Sequence, residues 1–346
     1  MIKIGYSHPR KLHEIWTVHD DVRKLISAAA ATKTIKIGGN SVNLDPTSTS
    51  FIDYLNDNGQ AALNGILTKT PDILSATYIK DIEKLFPDFV TDKGKVGKRN
   101  QTFSQVREVA YIIFVTNGYE NLKRKAEFYA ALDVKVCPYC NRCLIEPIDD
   151  ENGKRTVVGE LDHFYCKSKY PYLAVSLYNL VPSCGICNGK SRKGEKDLCG
   201  TMFQNPYLLL DSDGMTFGFK PTGVSAINYE DSYKRYHIRY KFAPNVMLNY
   251  NFDILKLRKI YSGKYYREKV CKIECVVRDF CNQTYVDSQV AKFADMGINL
   301  SFSSLIRERL EVSGNPNEYN HHVNNKFVMD VFKNMVAYVN KRLLIK

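Results

Sequence analysis

No apolar run in the 346-residue chain approaches the ~18 residues that a membrane-spanning helix needs, and the opening MIKIGYSHPR lacks the apolar core of a secretory signal. These two absences argue against a spanning or exported protein, and a cytoplasmic one without a membrane partner is expected. Low-complexity tracts and internal repeats are missing too, which leaves an ordinary globular composition with 44% hydrophobic and 25% charged residues. Acidic residues are in short supply: 49 Lys or Arg face 37 Asp or Glu, a formal +12. The shortfall is uneven. From Lys234 onward 20 basic residues stand against 10 acidic ones, whereas Cys137 to Gly200 holds nine against eight. Such a flank suits a polyanion, although a solvated basic surface has the same composition.

Cysteine is not scarce. Ten are present, and a reducing compartment argues against reading them as a disulfide framework. Four form two C-x-x-C pairs, Cys137/Cys140 and Cys184/Cys187. Two such pairs supply the four tetrahedral thiolates that zinc prefers, and a site closed by four thiolates leaves no position for a catalytic water, so its role is structural. Four unrelated buried cysteines are the plainer alternative. Cys143, Cys166 and Cys199 read as small core residues, and Cys271 and Cys275, one helical turn apart, read as packing.

Length and periodicity divide the chain into three. Residues 1–132 read as mainly helical, from the apolar spacing in DVRKLISAAAA, FIDYLNDNGQAALNGIL, YIKDIEKLF and SQVREVAYIIFV, with TDKGKVGKRN as a basic loop. Residues 133–205 hold the cysteine pairs and a hairpin turning at Asn152-Gly153, whose return strand is expected to end near Asp162 and His163. Residues 206–346 read as basic and mixed α/β. There YKRYHIRYKF alternates a basic face (Arg235, His237, Arg239, Lys241) with an apolar one, and DILKLRKIYSGKYYREKVCKIECVVRDF reads as helix broken near Ser262-Gly263.

Between the cysteine pairs stand Asp162-His163 and Asn179, and Asn188 directly follows Cys187. An isolated Asp-His dipeptide is nearly always an ordinary surface or core pair. The combination CPYC, LDHFY, YNLVPSC and CNGK, in that order, resembles the HNH endonuclease family over residues 137–196. The resemblance implies an α+β fold with a zinc-braced ββα-metal core at 133–205, flanked by the helical N-terminal and mixed C-terminal regions. It implies that His163 is the general base, that Asp162 and Asn188 hold a catalytic divalent ion, and that Asn179 fixes the active-site loop by hydrogen bonds. The pattern departs from His-Asn-His at its last position, where Asn188 stands. Carboxylate and amide oxygens are hard donors, which points to Mg²⁺ or Mn²⁺ beside the structural zinc of Cys137, Cys140, Cys184 and Cys187.

The implied activity is metal-dependent hydrolysis of phosphodiester bonds, with double-stranded DNA as the favoured partner. Lys167, Lys169, Lys190, Arg192, Lys193, Arg235 and Arg239 are candidate nucleic-acid contacts. The linker LDHFYCKSKYPYLA is similar to that of stand-alone bacterial HNH proteins of anti-phage defence, including the nuclease subunit of Septu-type systems, which works with an ATPase partner. A zinc-braced binding or adaptor module without cleavage, and a structure-specific RNase, are the alternatives. Adjacent strand residues point to opposite faces, so Asp162 and His163 serve one site only if the strand twists or ends there. Tyr172, Leu173, Leu177 and Tyr178 are expected to pack the linker onto the core.

Overall fold

The structure is a computed structural model that describes residues 3–4, 18–91, 104–153, 155–209, 215–223, 231–242, 248–294, 302–319 and 321–343. The chain is mixed α+β, with long helices and four pairs of short antiparallel strands among the described residues. All of the basic loop TDKGKVGKRN after Thr91 lies outside them. Two compact units are present, one made of Ile4–Val134 and Ile145–Leu208, the other of Met1–Lys3, Lys135–Leu144 and Leu209–Lys346.

In the first unit the expected helices form where the apolar period is 3.6. Helix α1 (Val18–Thr32) buries Val22, Ile26 and Ala29, one face of the helix. A hairpin follows that the helical reading of this region overlooked: β1 (Thr34–Ile37) pairs with β2 (Asn40–Asn43), Ile37 opposite Asn40. Gly38 and Gly39 form the two-residue turn with φ of +58° and +88°, a conformation that L side chains rarely adopt. Helix α2 (Pro46–Thr68) starts where the Asp45 carboxylate accepts from the Ser48 amide at 2.7 Å, with Pro46 at the first helical position, and is interrupted at Asp57–Gln60. Helices α3 (Ala76–Leu85), α4 (Asp88–Thr91) and α5 (Gln105–Ala110) follow. Helix α5 runs into a π-helical turn at Tyr111–Thr116, and α6 (Lys125–Leu132) completes the helical set.

The hairpin around Asn152-Gly153 also forms, as β3 (Pro147–Asp149) against β4 (Arg155–Val157), but its return strand stops at Val157. Asp162 and His163 stand on a separate strand, β5 (Glu160–His163), which pairs antiparallel with β6 (Leu180–Ser183). The break falls at Gly159, where a Cβ would stand 2.6 Å from the Tyr129 hydroxyl and 2.8 Å from Ile145, so the backbone crosses a space too tight for a side chain. Helix α7 (Gly185–Asn188) follows β6 directly. The local order is therefore strand, sixteen-residue loop, strand, helix.

That loop, 164–179, is buried against the N-terminal helices. Tyr172, Leu173, Leu177 and Tyr178 are all at 0% exposure, packing as expected. An edge-to-face series of rings runs from Phe86 through Phe51 and Phe89 to Tyr172, with centroids 5.1–5.3 Å apart.

The second unit is built on β7 (Thr216–Pro221) and β8 (Tyr236–Lys241), with α10 (Lys264–Phe280) and α13 (Asn325–Leu343) packed together; α8 (Leu248–Ile254), α9 (Leu257–Tyr261), α11 (Gln283–Ala294) and α12 (Phe302–Leu310) complete it. Burial alternates along β8 as its sequence implies: Tyr236 and Ile238 are buried, while His237, Arg239 and Lys241 are exposed. The break between α9 and α10 falls at Ser262-Gly263. Phe217, Tyr261, Tyr266 and Phe327 form the aromatic core.

The turn carrying Cys137 and Cys140 is fixed within this unit by Asn141, which is 2% exposed and adopts φ +50°. Its amide Nδ2 donates to the carbonyls of Tyr319 (2.8 Å) and His322 (3.3 Å), its Oδ1 accepts from the Lys326 amide (3.1 Å), and its own carbonyl accepts from the Asn324 amide (2.6 Å). Asn is among the few non-glycine residues that take left-handed geometry readily, and only an amide both donates and accepts here. Asn141→Ala should therefore cost about 2–4 kcal/mol in urea unfolding, and Asn141→Asp, which turns a carboxylate oxygen toward those two carbonyls, at least as much.

Candidate functional site

The four cysteines of the two C-x-x-C pairs converge: Cys137, Cys140, Cys184 and Cys187 are all buried, with Sγ atoms within 4.8 Å of one another. Four sulfurs around a zinc at 2.3 Å would stand about 3.8 Å apart, so a cluster of this size could hold a tetrahedral metal. Local turns present the thiols. The amides of Cys187 and Asn188 donate to the Cys184 carbonyl at 3.0 and 3.1 Å, and the Asn141 amide donates to the Cys137 carbonyl at 2.7 Å. The spare cysteines differ from the small-core expectation in part: Cys166 and Cys271 are buried, Cys143 and Cys199 are half-buried, and Cys275 is exposed.

His163 is the last residue of β5, and its imidazole is held by the loop that follows. Nε2 lies 3.0 Å from the Ala174 carbonyl, which can only accept, so Nε2 carries the proton and Nδ1 keeps its lone pair. Burial pulls the imidazole pKa down to about 3, reinforced by Lys167 and opposed by the Ala174 bond, with smaller downward effects from Lys193 and Lys125. The ring is therefore neutral at neutral pH. Tyr119 stands edge-on to it, with centroids 4.4 Å apart, and donates its hydroxyl to the Leu161 carbonyl at 3.1 Å. Burial, then the negative charges of Asp162, Glu160 and Glu120, push the phenol up to about 12. One tyrosine thus touches the histidine and lies within the field of the strand's carboxylates.

Asp162 is 1% exposed, and its Oδ1 accepts from Lys193 Nζ at 2.8 Å; the same ammonium donates to the His163 carbonyl at 2.6 Å. Lys193 is therefore not the solvent-facing phosphate contact expected of it: it lies at 0% exposure as the counter-ion of Asp162. The strand's geometry makes Asp162 and His163 answer to different partners, Lys193 for one and Ala174 with Tyr119 for the other. Asn188 Nδ2 donates to Glu160 Oε2 at 2.7 Å. Glu160 and Asp162, two residues apart on β5, share a face of the strand. Three oxygen-bearing side chains, from Glu160, Asp162 and Asn188, thus belong to one strand face and the helix that follows.

Asn179, at 0% exposure, closes the loop. Its Oδ1 accepts from the Tyr165 amide at 2.8 Å, and its Nδ2 donates to the carbonyls of Tyr165 (3.1 Å) and Leu173 (2.9 Å). His19 Nε2, 2.9 Å from the Val175 carbonyl, and Arg107 Nη2, donating to the Ser168 carbonyl at 2.6 Å, hold the same loop from the helical side. Of the remaining expected cations, Lys169 pairs with Asp197 and Arg235 with Glu274, whereas Lys190 and Arg239 are exposed. Arg192 has two buried guanidinium nitrogens, Nε and Nη1, with no hydrogen-bond partner among the described residues. Sequence reasoning missed Tyr119, Lys125 and Glu160. Only Glu160 carried a local signal, its i−2 spacing from Asp162.

No family model matches the chain, and neither a curated protein nor a solved structure does. No second cluster of three or more His, Cys, Asp or Glu ligands is found among the described residues, and no helix among them is long and apolar enough to cross a membrane.

Cys184→Ser should lose bound zinc and folded yield together, because structural zinc binding is coupled to folding; elemental analysis of the purified protein should read about one zinc per wild-type chain. Asn179→Ala removes three hydrogen bonds from a buried site. It should lower stability by about 2–4 kcal/mol and open the 164–179 loop to limited proteolysis, with zinc content unchanged.

Proposed function

We propose that this protein is a metal-dependent nuclease of the HNH type that hydrolyses phosphodiester bonds, with DNA as its substrate. The observation that carries the reading is the state of His163: its Nε2 is bound to a backbone carbonyl, so Nδ1 is the basic nitrogen of a neutral ring. This histidine sits at the end of β5, in a strand–loop–strand–helix unit whose loop is closed by a buried Asn179. A general base needs a lone pair, a fixed tautomer, a rigid mount and a pKa near the working pH; these contacts provide the first three, while burial holds the imidazole below the fourth. In the step proposed, Nδ1 of His163 takes a proton from water as the water oxygen bonds to phosphorus, and the bond from phosphorus to the leaving sugar oxygen breaks. That oxygen departs as an alkoxide and is protonated from solvent.

Asp162, Asn188 and Glu160 are hard oxygen donors of the kind that suit Mg²⁺ or Mn²⁺. Mg²⁺ keeps several waters and needs only one or two carboxylates beside substrate oxygens; Glu160, hydrogen-bonded to Asn188, would be the exposed carboxylate for it, whereas Asp162 would have to exchange the Lys193 ammonium for the ion. The ion would supply charge neutralisation at the scissile phosphate and at the leaving oxygen. The resemblance alone carries the anti-phage context and an ATPase partner. A second reading, a zinc-braced nucleic-acid-binding module without cleavage, is favoured by the Lys193 ammonium, which already neutralises Asp162.

Purified protein incubated with plasmid, linear DNA and RNA in Mg²⁺ or Mn²⁺ separates the readings. The wild type should nick or cut DNA, and His163→Ala should lose at least about 10²-fold, the usual contribution of a general base. Equal nicking by the two would assign the activity to another site or a contaminant, cutting of RNA alone would make the protein an RNase, and binding without cleavage would favour the second reading.

A further inference from the structure

The cations around His163 are not equally neutralised. Lys193 is buried on Asp162 and Lys169 is paired with Asp197. Lys167 and Lys125 differ from both. Their ammoniums lie 4.6 and 5.2 Å from the centroid of the same ring, that of Tyr119. Lys167 has only Glu120 at 4.0 Å, the outer limit of an ion pair, and that carboxylate is half exposed. The Lys125 ammonium makes its contact with the ring and no ion pair or hydrogen bond among the described residues. Two positive charges therefore share one aromatic support, a ring that also stands 4.4 Å from the imidazole of His163.

We propose that Lys125 and Lys167, carried on the ring of Tyr119, form an anion subsite that binds a backbone phosphate of the nucleic acid next to the one at which His163 acts. The identity of the anion rests on the nuclease reading; the juxtaposition of the two ammoniums does not. Cation–π contact holds each ammonium in place without neutralising its charge, so both remain available to phosphate oxygens. Like charges held 4.6 and 5.2 Å from one ring centroid repel, and an anion within reach of both relieves that repulsion. Burial depresses the Lys167 ammonium and Lys125 adds to the effect, against the carboxylates of Glu120 and Glu195. The subsite draws on distant parts of the chain, Tyr119 and Lys125 from the end of the helical region and Lys167 from the 164–179 loop. A phosphate held there would fix the register of the strand relative to His163.

The test is equilibrium binding, kept apart from cleavage by working in the full-length His163→Ala protein. Fluorescence anisotropy with labelled 20-base-pair duplexes of two unrelated sequences is followed across a salt series. Removing one lysine–phosphate interaction flattens the slope of log K against log[salt] by about 1, so Lys125→Gln/Lys167→Gln should flatten it by about 2, equally for both sequences. Lys24→Gln, an exposed lysine on α1, should leave the slope unchanged, and Lys125→Arg/Lys167→Arg should retain it, with zinc content and circular dichroism equal to the parent in all variants. A double Gln variant with the parent's slope would overturn the subsite and leave the nuclease reading standing. A protein that binds with the expected change of slope but never cleaves would uphold the subsite and remove the nuclease reading. Failure of the parent to bind DNA or RNA at any salt would overturn both.

Discussion

Four buried sulfur atoms brought within 4.8 Å of one another impose a condition on the rest of this chain. As thiolates they repel strongly in a poorly polarisable interior, and a divalent cation turns that repulsion into the strongest local bond available. The constraint reaches the proposed chemistry directly. Cys184 stands at the start of α7, Cys187 lies inside it, and Asn188 is the next residue. Whatever fixes the two sulfurs fixes the direction from which Asn188 meets Glu160 on β5. A metal ion held by the four sulfurs would act as a clamp on that geometry.

The second layer of the site is polar and buried. Asn179, His163, His19 and Arg107 all direct side-chain hydrogen bonds to carbonyl or amide groups of the same sixteen-residue loop, and the loop's tyrosines fill the apolar space beneath it. Buried polar groups of this kind are costly if left unmatched, so each partner tolerates few substitutions. The arrangement trades adaptability for a single loop conformation. For the base proposed at His163, a single conformation would be the useful one.

Much of this was legible in the order of residues, because it depends on local pattern. The C-x-x-C pairs carry their convergence in their spacing, since two such pairs supply the four thiolates of one tetrahedral site. Helices α1 to α3 follow from apolar spacing, and the alternation of β8 from its basic and apolar residues. The misses share a cause. The Gly38-Gly39 hairpin is a two-residue signal inside a region whose bulk is helical, and the longer pattern masked it. The end of β4 depends on how closely Tyr129 and Ile145 approach Gly159, which is tertiary information. Lys193 has the same composition as its exposed neighbours Lys190 and Lys196, and only the fold shows that it is the buried partner of Asp162. Tyr119 reads as one more aromatic near a helix, and its placement against His163 depends on contacts across 44 residues of chain.

Asn141 gives the protein a temporal problem. The carbonyls it grips belong to Tyr319 and His322, 178 and 181 residues further along. At 5–20 residues per second, a ribosome finishes those residues roughly 10–35 s after the turn that carries Cys137 and Cys140. Through that interval the nascent turn holds two thiols whose backbone support has not yet been made. A delay in translation beyond residue 141 therefore prolongs the period in which the first pair of cysteines lacks the backbone contacts that fix their turn, and any metal the four sulfurs take up would have to wait for, or substitute for, those contacts.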